Sequence, residues 1–255
     1  MKNLMQLHID NLAREKRPVN VTKGGSEASL YIYDIISADF GVSALGVIDA
    51  LEQVGQADVL HIYINSPGGD VFEGRAIMAA LGRFTGKTIA HIDSLCASAA
   101  TSIALACNEI EMSDGAFFMI HNASGMVWGD KTDMRQTADL LEKIEGSIVA
   151  DYVKKTAQKE DQIIAWMNEE TWFTTSEAVE YGFVDRMTTS TNARSAKNTW
   201  NLAAFEKAPA ALTENANSAP LHEVKTETEA EPAPTKEQPD MKTANTNRLR
   251  LLTIA

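Results

Sequence analysis

Ser98 lies among small side chains, in Leu95-Cys96-Ala97-Ser98-Ala99-Ala100-Thr101, and could act as a nucleophile. Small neighbours let a substrate backbone reach the hydroxyl. A helix opening at Ala99 would present unpaired N–H groups and a positive dipole end to a developing oxyanion. The same position also suits a helix-capping serine. The Gly-x-Ser-x-Gly elbow is absent, which disfavours an α/β-hydrolase. His121 follows the apolar run Phe117-Phe118-Met119-Ile120. A histidine there is partly shielded from water and held as neutral imidazole, ready to accept a proton. It equally suits a half-buried structural histidine. The third feature is Asn65-Ser66-Pro67-Gly68-Gly69-Asp70. Pro67 fixes one turn, and Gly68-Gly69 can take backbone angles closed to other residues, so a ligand can approach the amides closely. Taken alone, this reads as an ordinary strand–helix turn.

These residues need elements to position them. Ser29–Ile36 and Val59–Asn65 read as strands, being rich in β-branched and aromatic residues. Val42, Leu45, Ile48 and Leu51 recur at helical spacing, as do Ile77, Met78, Leu81 and Phe84 within 74–84. Thr88–Ile92 reads as a strand and Ala99–Ala106 as a small-residue helix, followed by short strands at Ile110–Met112 and Phe117–Ile120. The alternation predicts an α/β domain with crossover connections. Met134, Ala138, Leu141, Ile144, Ile148 and Tyr152 predict one long amphipathic helix over 132–156, and Ser176–Tyr181 a short helix ending at Gly182.

Residues 1–25 are polar and read as a leader, and 26–189 as the folded domain. Five of the seven prolines (Pro209, Pro220, Pro232, Pro234, Pro239) fall after residue 190, among Glu, Thr and Ala. Such a segment buries too little apolar surface to offset its ordering entropy, so 190–255 is expected to be a disordered acidic tail. Its last residues, Leu249–Ala255, are apolar again and could form a short docking peptide. The net charge of −12 argues against nucleic acid and anionic membrane as partners. Cys96 and Cys107 match no metal or redox spacing and read as small packing residues in a reducing compartment. With neither a secretory signal nor a membrane span legible, the expectation is a cytoplasmic protein.

The order of the motifs is more specific than any one of them. Tyr63-Ile64-Asn65-Ser66-Pro67-Gly68-Gly69, then Ala97-Ser98, then Met119-Ile120-His121, then Glu177-Ala178-Val179-Glu180-Tyr181-Gly182-Phe183-Val184-Asp185 resembles the ClpP family of serine peptidases over roughly residues 28–188. Gly68-Gly69-Asp70-Val71-Phe72, Ile120-His121-Asn122 and Glu170-Thr171-Trp172-Phe173-Thr174 are most similar to the bacteriophage head-maturation (prohead) protease branch.

The resemblance implies a ClpP/crotonase-like fold of repeated β-β-α/βαβ units with a long handle helix at 132–156. It implies Ser98 as nucleophile and His121 as general base. The third member matches Glu170, a glutamate where the family has an aspartate; Glu169 and the more distant Asp161 are alternatives. The Gly69 and Ala99 amides would form the oxyanion hole, and Gly68 and Asn122 would contact substrate. No metal or cofactor is implied. Expected partners are peptide substrates, further copies of the chain in a ring through the handle helix, and capsid or scaffold proteins through the tail inside an assembling prohead in the host cytoplasm. Three other readings stay open: a peptidase fed by an ATP-driven unfoldase, acyl-CoA chemistry on the same architecture, and a catalytically silent scaffold.

Overall fold

The computed structural model describes residues 4–11, 17–188 and 200–213. Helix α1 (Leu4–Asn11) precedes an antiparallel hairpin of β1 (Asn20–Gly24) and β2 (Glu27–Ile32). The chain then alternates as its hydrophobic pattern requires. Helix α2 (Ala44–Val54), strand β3 (Val59–Ser66), helix α3 (Val71–Leu81), strand β4 (Lys87–Ala97), helix α4 (Ala99–Leu105) and strand β5 (Glu109–Ser113) follow in turn. Strands β2, β3, β4 and β5 pair in parallel in that order, and β8 (Arg186–Thr188) adds to β5. Leu60, Ile62 and Ile64 of β3 and Ala90 and Ile92 of β4 have no exposed surface, as central strands of a parallel sheet require.

Strand β4 changes partners along its length. Residues 89–92 pair with β5, while Leu95, Cys96 and Ala97 pair with Phe117, Phe118 and Met119 of β6 (Phe117–Ile120). Strand β7 (Thr171–Thr174) runs antiparallel on the far side of β6. Successive residues of this second layer face opposite ways. Cys96, Phe118 and Ile120 join the main core, whereas Leu95, Ala97 and Met119 join a second apolar cluster.

Side-chain caps fix where the helices start: Ser43 for α2, Asp70 for α3, and capping boxes at Asp130–Asp133 for α5 (Lys131–Thr156) and Thr174–Glu177 for α7 (Thr175–Glu180). Helix α6 (Glu160–Asn168) follows α5, and α8 (Ala210–Thr213) ends the described chain. Among the described residues no helix is long and apolar enough to cross a membrane.

Helix α3 starts at Val71, earlier than the expected 74–84, and β4 runs on past Ile92 to Ala97. The two ends of the domain also differ from expectation. The leader at 1–25 contains α1 and β1, and Leu7 of α1 is buried. Within 190–255, expected to be disordered throughout, residues 200–213 pack on the domain. Trp200 and Leu202 are each 1% exposed and join Leu7, Ile35, Leu95, Ala97 and Met119 in the second cluster. Burial of a tryptophan and a leucine supplies the apolar area that the composition of the whole segment lacks. The rest of that segment, Leu249–Ala255 included, lies outside the described residues. Helix α5 buries Ile148, Val149 and Tyr152 against its own domain, while Met134 (53%) and Leu140 (51%) near its start are exposed.

Candidate active site

Ser98 follows the last residue of β4, and His121 the last residue of β6. Ala97 pairs with Met119, and the Ser98 amide extends the ladder by donating to the Met119 carbonyl at 2.9 Å. The two residues therefore emerge side by side from adjacent parallel strands. His121 Nε2 lies 2.7 Å from Ser98 Oγ. Ser98 has φ 52 and ψ −126, a conformation that non-glycine residues rarely adopt. That turn points the hydroxyl at the imidazole, and Ser98 makes no side-chain cap on α4. The capping alternative is thereby replaced by a serine–histidine dyad. Thr101 Oγ1 braces the turn, donating to the Ser98 carbonyl and sharing a 2.6 Å hydrogen bond with the buried Tyr152 hydroxyl.

The glycine turn reaches Ser98 through close backbone contact. A Cβ on Gly68 would stand 2.5 Å from the Ala97 carbonyl oxygen and 2.7 Å from the Ser98 Cβ, so only glycine fits. Ser66 holds the turn, its Oγ donating to the Asp34 carbonyl and accepting from the Gly68 amide. The Ile36 amide donates to the Gly68 carbonyl, and the Asp70 amide to the Ile36 carbonyl. Among the described residues neither the Gly69 nor the Ala99 amide donates to a protein acceptor, so both remain available to a ligand oxygen. Ser66 was not singled out from sequence. Its signal is a polar side chain directly before a Pro-Gly-Gly turn.

Gly69, Ser98 and His121 line one cavity of about 390 Å³. Its walls are mostly apolar and include Val71, Phe72, Met126, Leu141, Ile144 and Phe205. Burial pushes the His121 imidazole below its ordinary value of 6.5, while the Glu170 charge opposes the shift. The imidazole is therefore neutral at pH 7, the form that can accept a proton.

Glu170 stands where the register predicts a partner for His121. Ile120 pairs with Thr171, so Glu170 is opposite His121. Its φ of 49 turns the chain sharply into β7. The structure nevertheless does not join carboxylate and imidazole by a hydrogen bond. Glu170 Oε1 accepts from Trp172 Nε1 at 3.1 Å and from the Lys207 amide at 2.7 Å, and Oε2 accepts from the Glu206 amide at 3.0 Å. Glu169 is exposed and ion-paired with Lys207, and Asp161 is exposed in the first turn of α6. Neither meets His121. Asn122 is directed elsewhere: its amide donates to Asn168 Oδ1, and it lines a neighbouring cleft with Glu142 and Glu145.

Phe205, like Ser66, was missed by sequence reasoning. Its ring meets His121 edge-on at 5.6 Å and Trp172 likewise at 5.6 Å. Trp200, Leu202 and Ala204 are buried while Asn201 and Ala203 are exposed, a period-two pattern that was present to be read. Among the described residues no cluster of His, Cys, Asp and Glu could hold a metal ion.

A family model described as Clp protease matches residues 25–191. The chain is 31% identical over 142 residues to the ATP-dependent Clp protease proteolytic subunit 2 of Thermobifida fusca, covering 52% of this chain and 66% of that protein. It is 28% identical over 133 residues to the subunit of the same name in Bifidobacterium longum, covering 51% of this chain and 64% of that protein. The match thus spans slightly less than two thirds of either relative. Among solved structures, a ClpP1 mutant from Listeria monocytogenes superposes with a TM-score of 0.58 at 23% identity, covering 64% of this chain and 92% of that one. At that identity the likeness is one of fold, and it agrees with the expected ClpP-like α/β architecture.

Proposed function

The chain belongs to the Clp protease family, and from that premise we propose that it is a serine endopeptidase working without metal or nucleotide. The observation that carries the reading is the 2.7 Å approach of Ser98 Oγ to His121 Nε2 beside the Gly69 and Ala99 amides.

Substrate enters as an extended strand along the glycine turn, where main-chain hydrogen bonds hold it. His121 takes the Ser98 proton as Oγ attacks the peptide carbonyl. The Gly69 and Ala99 amides receive the oxyanion, each such donor being worth about 3–4 kcal/mol of transition-state stabilisation. His121 then protonates the leaving amine, and water hydrolyses the acyl-enzyme by the same route. Glu170 is the carboxylate that would orient the imidazole. The apolar cavity walls favour an apolar substrate residue next to the cleaved bond. The exposed Met134 and Leu140 on α5, with Trp128 just before it, support a homo-oligomer through the first half of that helix.

The biological role we propose is cleavage of capsid or scaffold proteins, and of the chain itself, during phage head maturation. The motifs around Gly68–Phe72, Ile120–Asn122 and Glu170–Thr174 and the acidic stretch after residue 190 support it. The relatives' names favour a second reading, a proteolytic subunit fed by an ATP-dependent unfoldase. Intact mass of the wild type and of Ser98→Ala after incubation at neutral pH tests the first. Loss of mass near residue 190 in the wild type alone supports self-cleavage. If both chains stay whole and a fluorophosphonate labels neither, the peptidase reading fails. Proteolysis that needs ATP and an added unfoldase would favour the second.

A further inference from the structure

We propose that residues 200–213 are a built-in inhibitor of the Ser98 site, holding the Glu170 carboxylate on the main-chain amides of Glu206 and Lys207 and placing Phe205 against His121. The inference rests on the peptidase reading of that site.

The segment is seated by its own contacts. Asn11 Nδ2 donates to the Asn201 carbonyl at 3.0 Å and the Asn201 amide donates to Asn11 Oδ1 at 3.0 Å, a reciprocal pair that ties the segment to α1. Trp200, Leu202, Ala204 and Leu212 fill the second apolar cluster beneath β4 and β6. From this base the chain passes over the dyad. Ala204 and Phe205 form part of the wall of the cavity that contains Ser98 and His121. The Phe205 ring sits between His121 and Trp172, edge-on to both.

The next two residues engage the carboxylate. With the indole N–H of Trp172, the amides of Glu206 and Lys207 give Glu170 three donors. A carboxylate satisfied this way gains little by turning to an imidazole, and among the described residues no hydrogen bond joins Glu170 to His121. Register places Glu170 opposite His121; the segment supplies competing donors. Lifting residues 204–207 would open one wall of the cavity and leave the carboxylate with only the Trp172 donor. Both changes favour catalysis, the first by admitting substrate and the second by freeing the residue that orients the base. Lys207 Nζ adds an ion pair with Glu169, but at the exposed surface such a pair contributes little.

The test uses the full chain carrying Lys207→Pro, which removes one of the two amide donors, or Phe205→Ala, which removes the ring from His121 without altering the backbone. Lys207→Ala, which keeps the amide, is the control. Rates of Ser98 labelling by a fluorophosphonate and of hydrolysis of a short apolar peptide are measured across pH, with a thermal melt for each protein. Lys207→Pro and Phe205→Ala are expected to raise both rates at least tenfold, with Lys207→Ala within twofold of wild type. The acid limb of the Lys207→Pro profile should move to higher pH as the carboxylate comes to face the imidazolium. If Lys207→Pro does not fold, Phe205→Ala decides. Labelling of Ser98 with rates unchanged or lowered in folded Phe205→Ala overturns the inhibitor and makes Phe205 a wall of the substrate site, leaving the peptidase reading intact. Absence of Ser98 labelling in every protein overturns both.

Discussion

Gly68 and Ser98 are in such close apposition that a single methyl group on the glycine would stand 2.7 Å from the serine Cβ. The φ of 88 at Gly68 is also one that side chains avoid. Gly68→Ala is therefore expected to cost on the order of 1–3 kcal/mol of stability through strain and overpacking. It should also reduce peptide hydrolysis by at least tenfold, because the turn carries the Gly69 amide. A urea melt and a kcat/KM measurement on the folded variant check both parts; unchanged activity would remove Gly69 from the oxyanion hole.

Ser98→Gly and Ser98→Ala should both be inactive, yet differ in stability. With φ 52 and ψ −126, position 98 strains any residue with a Cβ. Glycine relieves that strain, so Ser98→Gly is expected to be more stable than Ser98→Ala by about 1 kcal/mol, the lower end of the cost of such conformations. Urea midpoints of the two variants provide the comparison. A less stable glycine variant would mean that the turn is not strained.

The acid limb of kcat/KM should lie below pH 6.5. Burial, the larger influence, lowers the His121 value, and the Glu170 charge opposes it. Only neutral imidazole accepts the Ser98 proton, so activity persists to a lower pH than an unperturbed histidine would allow. The same shift links to stability. Below pH 6.5 the unfolded chain binds this proton more readily than the folded one, so stability falls with pH until the folded His121 also protonates. A limb above pH 7, or no acid limb at any pH at which the protein stays folded, would contradict the assignment of His121 as base.

Tyr152→Phe should destabilise the fold by about 1 kcal/mol, the usual net worth of one hydrogen bond. The lost hydroxyl is shared with Thr101 at 2.6 Å, across the junction of α4 and α5. Thr101 keeps its bond to the Ser98 carbonyl, so kcat/KM should fall no more than a few-fold. A loss as large as that of Ser98→Ala would give Tyr152 a direct role in the site.

His121 was legible because it ends an apolar strand, Ser98 because small side chains surround it where a helix opens, and the order of the motifs around them is specific. The central sheet was legible from β3, a near-continuous apolar run, whereas β4 was read only over 88–92 because Asp93 and Ser94 interrupt it. Strand β7 has only four residues and α6 has a short apolar stripe, so neither was read. Without β7 there was no register to set Glu170 opposite His121, and the competing donors on its carboxylate come from residues distant in sequence. Phe205 was hidden by averaging. The composition of 190–255 is polar as a whole, and the apolar alternation at 200–205 occupies only a small part of it.

The change of partners along β4 gives the domain two regions of unequal strength. The first half of the strand lies between β3 and β5 in the middle of the sheet, whereas the second half shares a four-residue strand, β6, with the equally short β7. Ser98 and His121 both project from the weaker region. Heating should therefore open the dyad while the central strands are still protected: enzymatic activity disappears at a lower temperature than the cooperative melt, and amides of Met119 and Phe173 exchange with deuterium sooner than those of Ile62 and Ile92.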